Sequence, residues 1–274
     1  MGEISKYSLN PSNLFKRREL SNEMSNGIYY NFADKLLKLS HIHKYFSKVI
    51  GYKKSKKMGL SYPLYKFTIN PNSKAKFCIV AGVHGDEIAG PWSILELMKR
   101  PKFFKKEICY QIFPLLNPTG FELRKRFNDK RCDPNCLNKK TLKSKNYKEI
   151  QSFYQEVKDE EFEIFISMHE DLDQDKVYQY IYERDFEPIY RKLFKNERKW
   201  KTGKIYGDKS DGMGLIKNIH DHSLEDRLFS MGKSKISLAT ETPGELSLDK
   251  RISMNLNNLK ILNDYLLLSI TLEQ

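Results

Sequence analysis

Phe77-Cys78-Ile79-Val80-Ala81-Gly82-Val83-His84-Gly85-Asp86-Glu87 is the stretch that decides the fold. Its first part is an unbroken run of apolar and small residues, which reads as a strand covered on both faces. His84 sits on the turn leaving that strand. Glu87 comes where the apolar spacing of 88–100 predicts a helix. An imidazole and a carboxylate are thereby aimed at one spot, and zinc favours such mixed nitrogen and oxygen ligands. A His-x-x-Glu pair alone is common, so its meaning depends on what the rest of the chain supplies.

Three further runs have the same buried look: 108–116, 162–168 and 236–239. Strand-like patterns also cover 60–69 and 177–182. Helical spacing covers 29–50, 148–161, 186–196 and 248–268. The segment 121–147 is basic and irregular. The segment 200–223 reads as a loop punctuated by Gly203, Gly207, Gly212 and Gly214. Strands alternating with helices predict an α/β fold, with a mostly parallel mixed central sheet and helices on both faces. No internal repeat or linker divides it. We expect one domain over 29–274, preceded by an extension over 1–28 that is poor in apolar residues.

The 274-residue chain is 39% hydrophobic and 12% aromatic, enough for a proper core and incompatible with disorder. No apolar run is long enough for a membrane helix. The first residues lack the apolar stretch of a secretory signal, so the expected location is cytoplasmic. Net charge is +13, carried by scattered pairs such as Lys53-Lys54 and Lys139-Lys140. Scatter of this kind predicts a solvated basic surface and argues against a nucleic-acid partner. Cys78 and Cys109 fall in strand-like runs. Cys132 and Cys136 have no further soft ligands near them in sequence, so they read as two separate thiols.

In open parallel sheets, ligands bind beyond the carboxyl ends of the strands. His84, Asn117, His169 and Glu241 each come at or just after the end of a buried run, which gathers polar residues on one rim.

On these residues the chain resembles the zinc metallocarboxypeptidase superfamily, which includes carboxypeptidase A-like peptidases and succinylglutamate desuccinylase/aspartoacylase-type deacylases. The resemblance runs over about 76–244. It rests on Gly82-Val83-His84-Gly85-Asp86-Glu87, Asn117-Pro118-Thr119-Gly120-Phe121, Arg126-Phe127-Asn128 with Asp133-Pro134-Asn135, Ser167-Met168-His169, and Thr240-Glu241-Thr242-Pro243. It implies that His84, Glu87 and His169 ligate Zn2+, that Glu241 is the general base, and that Arg126 stabilises the oxyanion. It also implies that Asn135 binds substrate; Asn128 is counted with it, or as a support of the loop. Glu170 is set aside, because its side chain should point away from that of His169. The isolated histidines His41, His43, His220 and His222 are not expected at the site.

The pattern is broken at two places. Cys136 stands where the peptidases carry an arginine that grips a terminal carboxylate, and a thiol cannot form that ion pair. Pro134 replaces a leucine. The loop tyrosine of many members has no anchored counterpart, with Tyr206 a possible stand-in. The expected function is therefore zinc-dependent hydrolysis of an amide bond in a small peptide. Deacylation of a small N-acyl amino acid is the alternative, and a non-catalytic binding protein on the same fold is a further one.

Overall fold

The computed structural model describes residues 27–185, 188–195, 197–199 and 204–272. Helix α1 (Ile28–His43) leads into strands β1 (Phe46–Ser55), β2 (Leu60–Ile69) and β3 (Ala75–Ala81). Next are helix α2 (Ala89–Met98), strand β4 (Ile108–Phe113), and helices α3 (Pro118–Leu123), α4 (Lys139–Lys143) and α5 (Lys148–Val157). Then come β5 (Phe162–Asp171), β6 (Tyr178–Tyr182), the hairpin β7 (Lys204–Ile205) and β8 (Asp208–Lys209), and β9 (Leu215–Lys217). Helix α6 (Leu224–Ser230), β10 (Ser234–Pro243) and α7 (Leu248–Leu272) complete the order.

Eight strands form one sheet in the order β1-β2-β4-β3-β5-β10-β6-β9. The centre, β4-β3-β5-β10, is parallel. β2 and β6 flank it antiparallel, β1 pairs antiparallel with β2, and β9 runs parallel to β6. This is the expected α/β architecture with a mixed, mostly parallel sheet.

Side-chain alternation along the central strands feeds two cores. Phe77, Ile79 and Ala81 of β3, with Ile164, Ile166 and Met168 of β5, pack with residues of α1, α2 and α7. Cys78, Val80 and Phe165 point the other way, onto Ile150 and Phe153 of α5 and Leu224 and Leu228 of α6. Strands buried on both faces need apolar residues at every position, which is why these runs lack polar alternation. His169 shares its face with Phe165, the α5/α6 side, because side chains alternate along a strand.

Several expected elements differ. The helix over 29–50 ends at His43, where Lys44 adopts a left-handed conformation (φ 58°) and caps it. The chain then enters edge strand β1, whose Phe46 is 61% exposed. Of the residues of β1 at helical spacing, Phe46 does not serve the core and Ile50 packs against its α5/α6 side only in part. Strand 108–116 stops at Phe113, because Pro114 has no N–H for the ladder. Of the helix over 186–196, only a 3-10 turn at Pro188–Lys192 forms among the described residues; 186, 187 and 196 lie outside them. The irregular stretch 121–147 includes α4 and the end of α3, and the loop over 200–223 holds β7, β8 and β9. Helix α6 has no counterpart among the expected elements. The extension over 1–28 lies outside the described residues except Gly27 and Ile28, the latter opening α1. Among the described residues no helix is long and apolar enough to cross a membrane.

Candidate metal centre

After Ala81 the chain turns through Gly82, at φ 60°, a conformation that glycine adopts without steric cost. The turn is fixed to the neighbouring strand end: Asn117 N donates to Gly82 O at 2.8 Å and Leu116 N to Ala81 O at 3.1 Å. The next glycine serves close approach. A Cβ on Gly85 would fall inside the backbone of Gly120 and Phe121. Gly85 N and Asn117 Nδ2 both donate to the carbonyl of Arg126, at 3.3 and 3.1 Å. Asn117 Oδ1 also caps α3 by accepting from Gly120 N. The His84 turn, the Asn117 turn and Arg126 are thus one hydrogen-bonded assembly.

His84, Glu87 and His169 meet at the carboxyl rim of the sheet, all three buried, with one ligand atom from each within 4.8 Å of the others. His84 Nδ1 lies 2.6 Å from Glu87 Oε1. His169 Nδ1 lies 2.8 Å from Glu87 Oε2 and 3.2 Å from His84 Nδ1. Both imidazoles therefore turn Nδ1 to a common centre. Their Nε2 atoms face outward to other partners. Asp133 Oδ1 is 3.1 Å from His84 Nε2. Ser167 Oγ is 2.8 Å and Glu225 Oε1 3.5 Å from His169 Nε2. Metal-binding histidines characteristically hand their second nitrogen to such a group, which fixes tautomer and ring orientation. Two imidazoles and a carboxylate suit zinc's ligand preferences, and these donors could hold such an ion.

The electrostatics agree with a surplus of negative charge. Burial pulls His84 down, but the charge of Glu87 and its hydrogen bonds to Asp133 and Glu87 outweigh it and raise its pKa. Burial likewise disfavours charged His169, yet Glu87 and Glu225 hold it well above the usual histidine range. For Glu87, burial is overcome by the two imidazoles and the carboxyl falls far below normal. Asp133 resists burial through His84 and drops to about 2. Such a site binds a proton or a metal cation.

The triad lines a cavity of about 470 Å³ together with Arg126, Asn135, Tyr206 and Glu241. Glu241 is half-buried on β10, and burial first, then Glu87, pushes its carboxyl up to about 8. Arg126 is half-exposed; its Nη1 stands 3.4 Å from Glu87 Oε1 and its Nε 3.5 Å from Asp133 Oδ2. Asn135 lines the cavity, with its Oδ1 accepting from Leu224 N at the start of α6. Tyr206, on the β7–β8 turn, donates its hydroxyl to Asp171 at 2.9 Å.

Asn128 requires a correction. It does not line the cavity. Its Nδ2 donates to Glu149 Oε1 and Asn146 O, and its Oδ1 accepts from Lys130 N and Cys132 N. With both ends of the amide engaged it braces the loop and does not reach a substrate. Glu170 faces the opposite layer, where it pairs with Arg251 and accepts from Ala89 N. His220 is exposed and binds Asp226, away from the triad. The four cysteines are free.

Asp133 and Glu225 are the residues that sequence reasoning misses. Asp133 belongs to the Asp133-Pro134-Asn135 motif, where only Asn135 carries an expected role. Glu225 comes from α6, an unexpected helix, and nothing in its local sequence marks it.

A family model described as the succinylglutamate desuccinylase/aspartoacylase catalytic domain matches residues 73–194. No curated protein matches the chain at a significant level. Among solved structures, a Shewanella amazonensis SB2B protein whose name assigns it to the metallopeptidases aligns with 25% identity and TM-score 0.69. That alignment covers 85% of this chain and 90% of the other. A similarly named protein of Shewanella denitrificans OS217 aligns with 24% identity and TM-score 0.71, over 85% and 87% of the two chains. A metallo-carboxypeptidase from Burkholderia cenocepacia shares the fold at 14% identity and TM-score 0.62, over 84% of this chain and 67% of its own. With the triad on the rim of this sheet, these likenesses support the zinc carboxypeptidase-like superfamily as the chain's fold family.

Proposed function

We propose that the chain is a zinc-dependent hydrolase of an amide bond, of metallocarboxypeptidase type. The observation that carries this reading is the convergence of His84, Glu87 and His169 in a cavity whose wall also presents Glu241. In this reading the three residues hold Zn2+. When bound, the ion supplies Lewis-acid activation of water and of the substrate carbonyl. Glu241 accepts the proton released as the nucleophile attacks and returns it to the leaving nitrogen. A carboxyl raised by burial suits both halves of that exchange. Arg126 offers its guanidinium to the oxygen on which charge develops, an interaction stronger in the transition state than in the substrate. Its long contacts to Glu87 and Asp133 leave it available for that role. Asn135 is the substrate-facing residue next to it. The catalytic unit is taken as 29–274, and the free cysteines suit a reducing, cytoplasmic setting.

Two observations favour a second reading, deacylation of a small N-acyl amino acid. Cys136 stands where a peptidase would grip a terminal carboxylate, and the family model over 73–194 bears the deacylases' name. The test compares zinc-loaded protein on short peptides with free or amidated carboxyl termini and on N-acyl amino acids. Turnover of peptides supports the first reading, and turnover of N-acyl amino acids alone supports the second. Turnover of neither would leave a binding protein on this fold and sink both.

A further inference from the structure

The chain carries a net charge of +13, yet the cavity around the triad is acidic. Arg126 is the one cationic Lys or Arg side chain lining it among the described residues. Against it stand Asp86, Asp171, Asp173 and Asp221, besides the carboxylates that face the two histidines. Among the described residues, Asp173 and Asp221 have no ion-pair partner, whereas the nearby Glu170 is matched by Arg251. A bound dication would offset only part of this charge.

The acids face a wall of aromatic rings. Tyr178, Tyr180 and Tyr182 alternate along β6 and so share one face of the strand, and all three line the cavity. Tyr178 and Tyr180 meet edge to face at 6.0 Å. Asp221, just ahead of α6, is close enough to Tyr180 and Tyr182 to help raise both phenols, after burial. Its Oδ1 accepts from Ser223 N, which fixes the carboxylate at the cavity. Aromatic faces beside unpaired carboxylates attract cations and offer nothing to an anion.

We propose that this site takes an amide substrate bearing an ammonium or guanidinium group near the scissile bond, seated between Asp221 and the β6 tyrosines, and disfavours anionic substrates. This rests on the amide-hydrolase reading and narrows it: an acidic N-acyl amino acid meets like charge here.

The test uses the zinc-loaded full chain and three matched probes, N-acetyl-glycyl-X-amides with X as lysine, norleucine or glutamate. Binding is measured by calorimetry on the Glu241→Gln variant, and turnover on the unmodified protein. Lysine should bind at least about tenfold more tightly than norleucine, with glutamate weakest, and added salt should narrow the gap. Asp221→Asn should shrink the lysine-to-norleucine ratio by about tenfold. Asp173→Asn serves as a second variant, expected to move the ratio the same way. Equal binding of lysine and norleucine, binding of glutamate as strong as lysine, or binding of none of the three would overturn the proposal. Lysine-selective binding without turnover of these probes, of the matching free-carboxyl peptides or of N-acyl amino acids would remove the hydrolase reading and leave the cation preference standing. Turnover without cation preference would do the reverse.

Discussion

Glu241 and His169 are register partners across the parallel pair β5–β10, so their side chains leave the sheet on the same face. On the other side of β10, Glu241 is paired with Tyr178. One residue of a buried strand thus stands between a triad histidine and the aromatic wall of the cavity. The neighbours Glu170 and Thr242 are directed to the opposite layer, where Glu170 meets Arg251. A slip of one residue in either strand would exchange these roles.

If Glu241 is the base, Glu241→Gln keeps its shape and removes its proton affinity. We expect kcat to fall about 10²–10⁴-fold with zinc content unchanged. Metal analysis and steady-state kinetics on the same preparation check this. A variant that retains full activity would remove Glu241 from the mechanism.

Glu241 also sets a pH dependence. Burial raises its carboxyl to about 8, and a base acts only when deprotonated. Activity should therefore rise with pH. Because a bound cation favours the carboxylate, the midpoint should lie at or below about 8. A kcat/KM profile that is flat from about pH 5 to 9 would contradict this assignment.

The carboxylate behind His169 gives a separable prediction. Glu225 Oε1 stands 3.5 Å from His169 Nε2, while Nδ1 faces the common centre. Glu225→Gln should weaken zinc binding about 10–100-fold, read by competition with a chelator. An unchanged affinity would mean that Ser167, at 2.8 Å, orients the ring alone.

How much of this is legible in the sequence depends on where each signal lies. The central strands β3, β4, β5 and β10 are readable because burial on both faces demands unbroken apolar runs. Their ends then deliver His84, Asn117, His169 and Glu241. Edge strand β1 reads as helix because Phe46, Val49 and Tyr52, all exposed, carry no burial signal of either period. Asn128 misleads because a polar residue in a motif looks the same whether it faces a ligand or a buried cluster. Glu225 is invisible because its partner is 56 residues away, on another element, and only the packing of α6 against β5 and β10 joins them.

The cluster that absorbs Asn128 is itself testable. Lys53 Nζ lies 2.7 Å from Glu149 Oε2 and 3.6 Å from Asp129 Oδ1, with side-chain exposures of 3%, 0% and 0%. It also donates to Asn146 O at 2.9 Å. Lys53→Met would leave Glu149 buried without its cation and Asp129 with Lys130 alone, a loss of about 3–5 kcal/mol. Urea unfolding measures it. A change below about 0.5 kcal/mol, the range of ordinary surface substitutions, would show that the cluster does not hold the Arg126 loop to β1.

The most direct test of the account is the zinc content of the reconstituted protein after dialysis, compared with the His84→Ala and His169→Ala variants whose folding is verified by circular dichroism. One tightly held equivalent per unmodified chain is expected, with its loss in both variants. Undiminished zinc in folded variants, or an unmodified chain that retains none, would contradict it.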